Sequence, residues 1–232
     1  KRQLMPLIPP PSRVELVREN SWADATWKKW FNSIYDYFGG DVWDDELSEI
    51  SLDKPPGAGT PASLANFGPT AITQQPVFNR GDSAVVKFHI RHSIKVGSLI
   101  YPHVHWSTDG TAATSGVSDI VEWEIDYQIA KGHQQEEFTD QTQIVMTQSV
   151  YNANSGGPAN PDAWHHYITE ASDDQAFTAP EVDSLIVMRI RRGSTSDTYS
   201  NVGNGHVFGL YVDLHYLKDR FGTKNKAPDF YR

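Results

Sequence analysis

A strict alternation of apolar and polar side chains most limits what this chain can fold into. In one segment, Val86, Phe88 and Ile90 alternate with Lys87 and His89. The same pattern recurs in the segments 99–106 and 121–129. Because successive side chains of a strand point to opposite faces, the pattern predicts strands with one buried face. Further strands are predicted at 143–150, 185–191 and 207–217.

The segments between these strands predict the fold class. They are rich in Gly, Asn, Ser and Asp and include 109–110, 155–158 and 193–205, with no helical pattern between them. Strands joined in this way are typical of an all-β, antiparallel β-sandwich, here expected to be jelly-roll-like. The predicted sandwich domain spans 83–221, and 232 residues suit a single domain of this kind.

The chain before the sandwich divides into three predicted parts. Residues 1–20 form an extended arm, because the prolines at 9–11 exclude a helix there. An amphipathic helix is predicted within 21–40, begun by Ser21 or Asp24 and ended by Gly39 and Gly40. Residues 41–82 are rich in Pro and Gly and are interpreted as a connecting segment with one short strand near 71–78.

Both N-terminal parts carry apolar side chains that suit an interface. The arm has Leu4, Met5, Leu7 and Ile8, which fit either a floppy terminus or an arm laid on a neighbouring subunit. The apolar helix residues are Trp27, Trp30, Phe31, Ile34 and Phe38. This face is expected to pack on a sheet or on another subunit. The basic tail 222–232 is expected either to meet an acidic neighbour or to be solvated.

Composition argues against several classes of protein. The chain has no Cys, which excludes disulfides, thiolate metal sites and a cysteine nucleophile. With 20 basic and 29 acidic residues, the net charge of −9 argues against nucleic acid as a partner. No apolar run approaches the roughly 20 residues that span a bilayer, and no signal peptide is recognised at the N-terminus.

The polar faces of two predicted strands have opposite charges. One face carries Lys87, His89 and Arg91, and the other carries Glu122, Glu124 and Asp126. If these strands were neighbours, the charges would pair across the sheet, but a solvated face is the preferred interpretation.

The segment Pro102-His103-Val104-His105-Trp106 is the sharpest chemical feature. Two residues apart on a strand, His103 and His105 point to the same side and resemble the His-x-His pair of a cupin metal site. Asp109, Glu122, Glu124 and His215 are the candidate further ligands. Hydrogen bonds to neighbouring strands explain the pair equally well, so no metal and no other cofactor is expected. A cupin-like metal-dependent enzyme using His103, His105 and His215 is the alternative.

No nucleophile elbow, phosphate-binding loop or His-Glu-x-x-His sequence occurs, so no enzymatic activity is expected. Trp22, Trp43 and Trp164 lie near predicted loops, where they would suit either a glycan-binding surface or burial at an interface.

Four segments together resemble a protein family. They are IYPHVHW at 100–106, VEWEIDY at 121–127, DTY at 197–199 and VDLHY at 212–216. The resemblance is to a family encoded among the structural genes of tailed bacteriophages, and it covers roughly 83–221. It carries over no functional residue.

The resemblance implies a virion component, either a capsid decoration or head-fibre-like subunit or a tail-associated one. The implied partners are further copies of the chain and capsid, portal, neck or tail proteins, with no nucleic acid and no membrane. The implied location is the virion, after assembly in the cytoplasm of the bacterial host.

Overall fold

The computed structural model describes residues 10, 25–38, 42–53, 59–109, 119–150, 164–178, 180–199 and 206–218. This part of the chain contains one helix, α1 (Ala25–Phe38), and eleven strands. The strands are β1 Val42–Ser48, β2 Ser63–Phe67, β3 Thr73–Val77, β4 Ser83–His89, β5 Leu99–Thr108, β6 Asp119–Ala130, β7 Thr142–Val150, β8 Tyr167–Glu170, β9 Phe177–Thr178, β10 Leu185–Arg192 and β11 Val207–Lys218.

These strands form two antiparallel sheets. The larger sheet has the order β2-β3-β11-β5-β8, with β1 also paired to β11 and β9 also paired to β5. The smaller sheet has the order β4-β10-β6-β7. The predicted all-β, antiparallel sandwich is confirmed, and the arrangement is compatible with a jelly roll. All six strands predicted from alternation and composition are present, with small differences at their ends.

The core lies between the inner faces of the two sheets. Val104 and Trp106 of β5 face Trp123 and Ile125 of β6, and all four side chains are fully buried. The rings of Trp106 and Trp123 have centroids 6.4 Å apart, and Phe78 packs edge-on against Trp123 at 5.1 Å. Such aromatic contacts contribute about 0.5–1.5 kcal/mol each beyond the burial of their area.

The segment 41–82 is more than a connection, which corrects its interpretation. The strand expected near 71–78 is β3, but β1 and β2 also join the larger sheet. β1 pairs with β11 from Val42 opposite Lys218 to Ser48 opposite Val212. Its sequence carries three successive acidic residues at 44–46 and lacks apolar alternation. Such a pattern is compatible with an edge strand, because main-chain hydrogen bonds to β11 hold it in the sheet.

The two charged strands are not neighbours, because β10 lies between β4 and β6, so their side chains do not pair directly across the sheet. Arg189 of β10 pairs with Asp126, and Arg191 pairs with Glu124. Two carboxylates of β6, those of Asp126 and Glu124, therefore pair with arginines of the intervening strand.

Several sequence-based assignments lie outside the described residues. These are Leu4, Met5, Leu7 and Ile8 of the arm, the residues proposed to cap the helix, and the tail 222–232. Within the described residues, no helix is both long and apolar enough to span a membrane.

Candidate functional site

A cluster of His and acidic side chains lies on the outer face of the larger sheet, where β11, β5 and β8 run side by side. His103 of β5 is opposite Asp213 of β11 on one side and opposite Glu170 of β8 on the other. His105 follows two residues later and therefore projects from the same face. The inner face of β5 carries core residues, so this alternation directs both imidazoles away from the core.

These outward-facing side chains are nevertheless buried. The exposed fraction is 8% for His103, 5% for His105 and 4% for Asp213. The ring of Tyr211 stacks on His105 with centroids 4.1 Å apart, and the ring of His215 lies edge-on to His103 at 5.1 Å. Neighbouring side chains thus form a local cover, and burying ionisable groups is costly unless they are paired or bind a metal.

In each of the two buried histidines, the two ring nitrogens have different neighbours. His105 Nε2 is 3.1 Å from Asp213 Oδ2, and His103 Nδ1 is 3.3 Å from Asp213 Oδ1. On the far sides, His105 Nδ1 is 2.8 Å from His166 Nε2, and His103 Nε2 is 3.0 Å from Glu170 Oε1. One nitrogen of each ring therefore faces a shared carboxylate, and the other faces an outer partner.

Two of these buried atoms lack an aligned hydrogen bond. His103 Nε2 and Asp213 Oδ1 are both shielded from solvent, and among the described residues neither has a hydrogen-bond partner of acceptable angle. Their short distances to Glu170 and His103 meet the criterion of an ion pair but not the directionality of a hydrogen bond. The hydrogen-bonding capacity of the cluster is thus only partly used by the residues that the structure describes.

Burial and charge shift the pKa values at the edge of the cluster. Desolvation lowers the pKa of His166, the charge of His105 lowers it further, and Asp213 partly opposes both. His166 is therefore favoured as a neutral ring, which can accept a hydrogen bond from His105. Desolvation also raises the pKa of Tyr211, as do the nearby carboxylates of Asp213 and Asp45.

The potential metal ligands among the described residues form two triads that share His103. One triad is His103, His105 and Asp213, all buried, and the other is His103, Glu170 and His215. In each, the ligand atoms lie within 4.8 Å of one another. The predicted combination of His103, His105 and His215 is therefore divided between the two, since His215 accompanies Glu170 and not His105.

The other predicted ligands lie elsewhere and have structural partners. Asp109 accepts a hydrogen bond from the main-chain N–H of His206 at 3.1 Å and is 2.6 Å from its Nδ1. The carboxylate of Glu122 accepts hydrogen bonds from the main-chain N–H groups of Thr195 and Ser196 at 3.1 and 2.9 Å. Glu124 pairs with Arg191. None of these three carboxylates belongs to the cluster.

Sequence reasoning missed Asp213, which supplies the carboxylate between the two histidines. A signal was present, because Asp213 and His215 are two residues apart on a predicted strand and so share a face. Glu170 and His166 carried no comparable signal, since β8 has only four residues. Their position depends on its pairing with β5.

A second candidate surface is the aromatic face of α1. The rings of Trp27 and Trp30 are 5.3 Å apart, and Phe31 lies 5.1 Å from Trp30. Phe31 is 47% exposed, and the indole N–H of Trp30 is shielded yet has no hydrogen-bond acceptor in the described part of the chain. Within that part, α1 forms no extended contact with any strand.

The three tryptophans considered for glycan binding differ in their surroundings. Trp43 is 53% exposed and packs edge-on against His215 and Tyr101. Trp164 contacts Phe67 and Phe208 on the larger sheet. Trp22 lies outside the described residues. Of the two tryptophans that the structure describes, Trp43 and Trp164, only Trp43 is exposed.

Comparisons with known proteins do not assign the chain to a family. No family model matches it, and no curated protein matches it. Among solved structures, dimeric latent PorU from Porphyromonas gingivalis is similar with a TM-score of 0.33 and 9% identity, over 77% of this chain. The chain spans only 13% of that PorU structure.

An unassembled VP1 pentamer of Washington University polyomavirus is similar with a TM-score of 0.20 and 9% identity, over 77% of this chain and 94% of that one. TM-scores of this size do not establish a shared fold.

Proposed function

We propose that this chain is a structural subunit of a tailed-bacteriophage virion, acting through protein–protein assembly. The observation that carries the proposal is the aromatic face of α1, where the rings of Trp27, Trp30 and Phe31 contact one another, Phe31 is 47% exposed, and the helix has no extended contact with any described strand. Clustered aromatic rings that include an exposed one are typical of surfaces that become buried against another protein.

The energetics favour such an association. Fully burying a ring of this size stabilises by roughly 1.5–3 kcal/mol, so covering the half-exposed Phe31 contributes on the order of 1 kcal/mol.

The resemblance to phage structural proteins selects the kind of partner. We propose that α1 and the arm at 1–20 contact further copies of the chain or capsid, portal, neck or tail proteins. The subunit serves as a capsid decoration, head-fibre-like or tail-associated component. It functions in the virion after assembly in the bacterial cytoplasm, and its role is not catalytic.

Mass spectrometry of particles purified from the phage that encodes this chain tests the proposal. The expected result is stoichiometric presence of the polypeptide in the particle, with its loss from particles when Trp30 and Phe31 are replaced by Ala. The matched control replaces the exposed Lys28 and Lys29 of the same helix by Ala and is expected to be incorporated normally. Absence of the wild-type polypeptide from purified particles overturns the proposal.

A further inference from the structure

We infer that His103, His105 and Asp213 form a binding site for one divalent transition-metal ion of the zinc class, on the outer face of the larger sheet. This inference is independent of the proposed virion role, and it differs from the expectation of no metal drawn from the sequence. It assigns His103 Nδ1, His105 Nε2 and a carboxylate oxygen of Asp213 as the three protein ligands.

The positions of the donor atoms carry the first part of the argument. Asp213 lies between the two rings, at 3.3 Å from His103 Nδ1 and 3.1 Å from His105 Nε2. One donor atom from each of His103, His105 and Asp213 lies within 4.8 Å of the other two, close enough for a single ion to contact all three. Two imidazole nitrogens and one carboxylate are a donor set that suits Zn²⁺ and its neighbours better than Ca²⁺ or Mg²⁺, which prefer oxygen ligands.

The outer partners carry the second part. A metal-binding His usually donates its other ring N–H to an acceptor, which orients the ring and fixes its tautomer. Here His105 Nδ1 faces His166 Nε2 at 2.8 Å, and His103 Nε2 faces Glu170 Oε1 at 3.0 Å. The ring of His105 is thus held by a hydrogen bond and the ring of His103 is flanked by a carboxylate, while the remaining nitrogen of each ring lies close to Asp213.

An independent observation comes from the unsatisfied atoms. Asp213 is only 4% exposed, yet its Oδ1 has no aligned hydrogen bond within the described part of the chain. Buried polar side-chain atoms are seldom left in this state, and an ion is one of the groups that can satisfy them. A bound cation would occupy the free lone pair of Asp213.

The alternative triad of His103, Glu170 and His215 is less suited to the ion. Glu170 has a side chain that is 54% exposed, and His215 has one that is 32% exposed. Exposed side chains are already stabilised by water, whereas buried polar side chains are not. Binding a metal ion therefore stabilises the exposed triad less than the buried one. Glu170 is instead assigned as the outer partner of His103.

Equilibrium dialysis of the full chain against ZnCl₂, after treatment with a chelator, tests the assignment. One tightly bound Zn²⁺ per chain is expected, with affinity reduced at least about 100-fold in His105→Gln and in Asp213→Asn. Glu170→Gln removes an outer partner and is expected to weaken binding about 10-fold. The control variants His215→Gln and His206→Gln are expected to bind within about threefold of wild type.

Nitrogen-15 NMR of the wild-type imidazoles keeps the test independent of how well the variants fold. On addition of Zn²⁺, His103 is expected to coordinate through Nδ1 and His105 through Nε2. The inference is overturned by the absence of stoichiometric binding, by binding that survives His105→Gln but is lost in His215→Gln, or by coordination of His103 through Nε2.

Discussion

The Nδ1 atom of His103 lies 3.3 Å from Oδ1 of Asp213, and the two residues are directly opposite each other on β5 and β11. The pairing of the two strands creates this contact between residues that are distant in the chain. On the opposite side of the same strands, Val104 and Leu214 are fully buried in the core. The strands that build the sandwich therefore also build the polar cluster on its outer face.

The buried ion pair between Arg192 and Asp197 leads to a stability prediction. Arg192 is fully buried, and its Nε and Nη2 each donate to one oxygen of Asp197 at 2.9 Å. Replacing Arg192 by Met leaves a buried carboxylate with one fewer partner, and we expect a loss of about 3–5 kcal/mol in the free energy of unfolding.

Urea denaturation measures this loss, and Lys131→Met provides the control. Lys131 pairs with Glu136 at the surface, where such a pair contributes at most about 1 kcal/mol. The role given to Arg192 is wrong if both variants unfold at the same urea concentration.

The hydrogen bond between Trp106 and Thr169 attaches β8 to β5. The indole Nε1 donates to Thr169 Oγ1 at 2.8 Å, and both residues are buried. Thr169→Val keeps the shape but removes the acceptor, so we expect destabilisation of about 1–3 kcal/mol from an unsatisfied buried N–H. Thr169→Ser retains the hydroxyl and is expected to be affected less. The midpoint temperatures of thermal unfolding of the two variants are compared. Equal midpoints would contradict the claim that this hydrogen bond stabilises the attachment of β8.

Asp183 leads to a prediction about pH. Burial alone would raise the pKa of Asp183, but hydrogen bonds from His133 and His92 and the charges of His92 and His89 outweigh it, so the pKa is lowered. A lowered pKa in the folded state means that the carboxylate stabilises the protein above the usual Asp range. That contribution is lost as the pH falls through the folded pKa.

The matched variant is Asp183→Asn, because Asp183 has φ of 59° and Asn tolerates this left-handed conformation. At pH 5 to 6 the variant is expected to be less stable than wild type by roughly 1 kcal/mol, since the pair is partly solvated. The difference should shrink as the pH falls below about 4. A difference that stays constant from pH 6 to pH 3 would contradict the assignment.

The extent to which the fold was predictable follows from how each strand is held. Where one face is buried, as at Val121, Trp123 and Ile125, alternation marks the strand in the sequence. β1 was not predicted, because its main-chain pairing to β11 requires no apolar pattern in the sequence. The position of β10 between β4 and β6 was also not predicted, because alternation along a strand carries no information about which strands are neighbours.

The candidate site was also only partly predictable from the sequence. His103 and His105 were recognisable because they share one strand, so local periodicity places them together. Their association with Asp213 depends on the register of two strands separated by a long stretch of chain, and with Glu170 on a third. Local pattern therefore identified the pair of imidazoles, while tertiary pairing supplied the carboxylates.

Site-specific photo-crosslinking at position 31 tests the assembly role most directly. Phe31 is replaced by benzoylphenylalanine in the phage-encoded chain, and Phe138, which is similarly exposed at 46%, receives the same probe as the control. After irradiation of purified particles, we predict a crosslink from position 31 to a second copy of the chain or another virion protein, and a much weaker one from position 138. Particles that contain the chain but give no crosslink from position 31 would contradict the claim that α1 is an assembly surface.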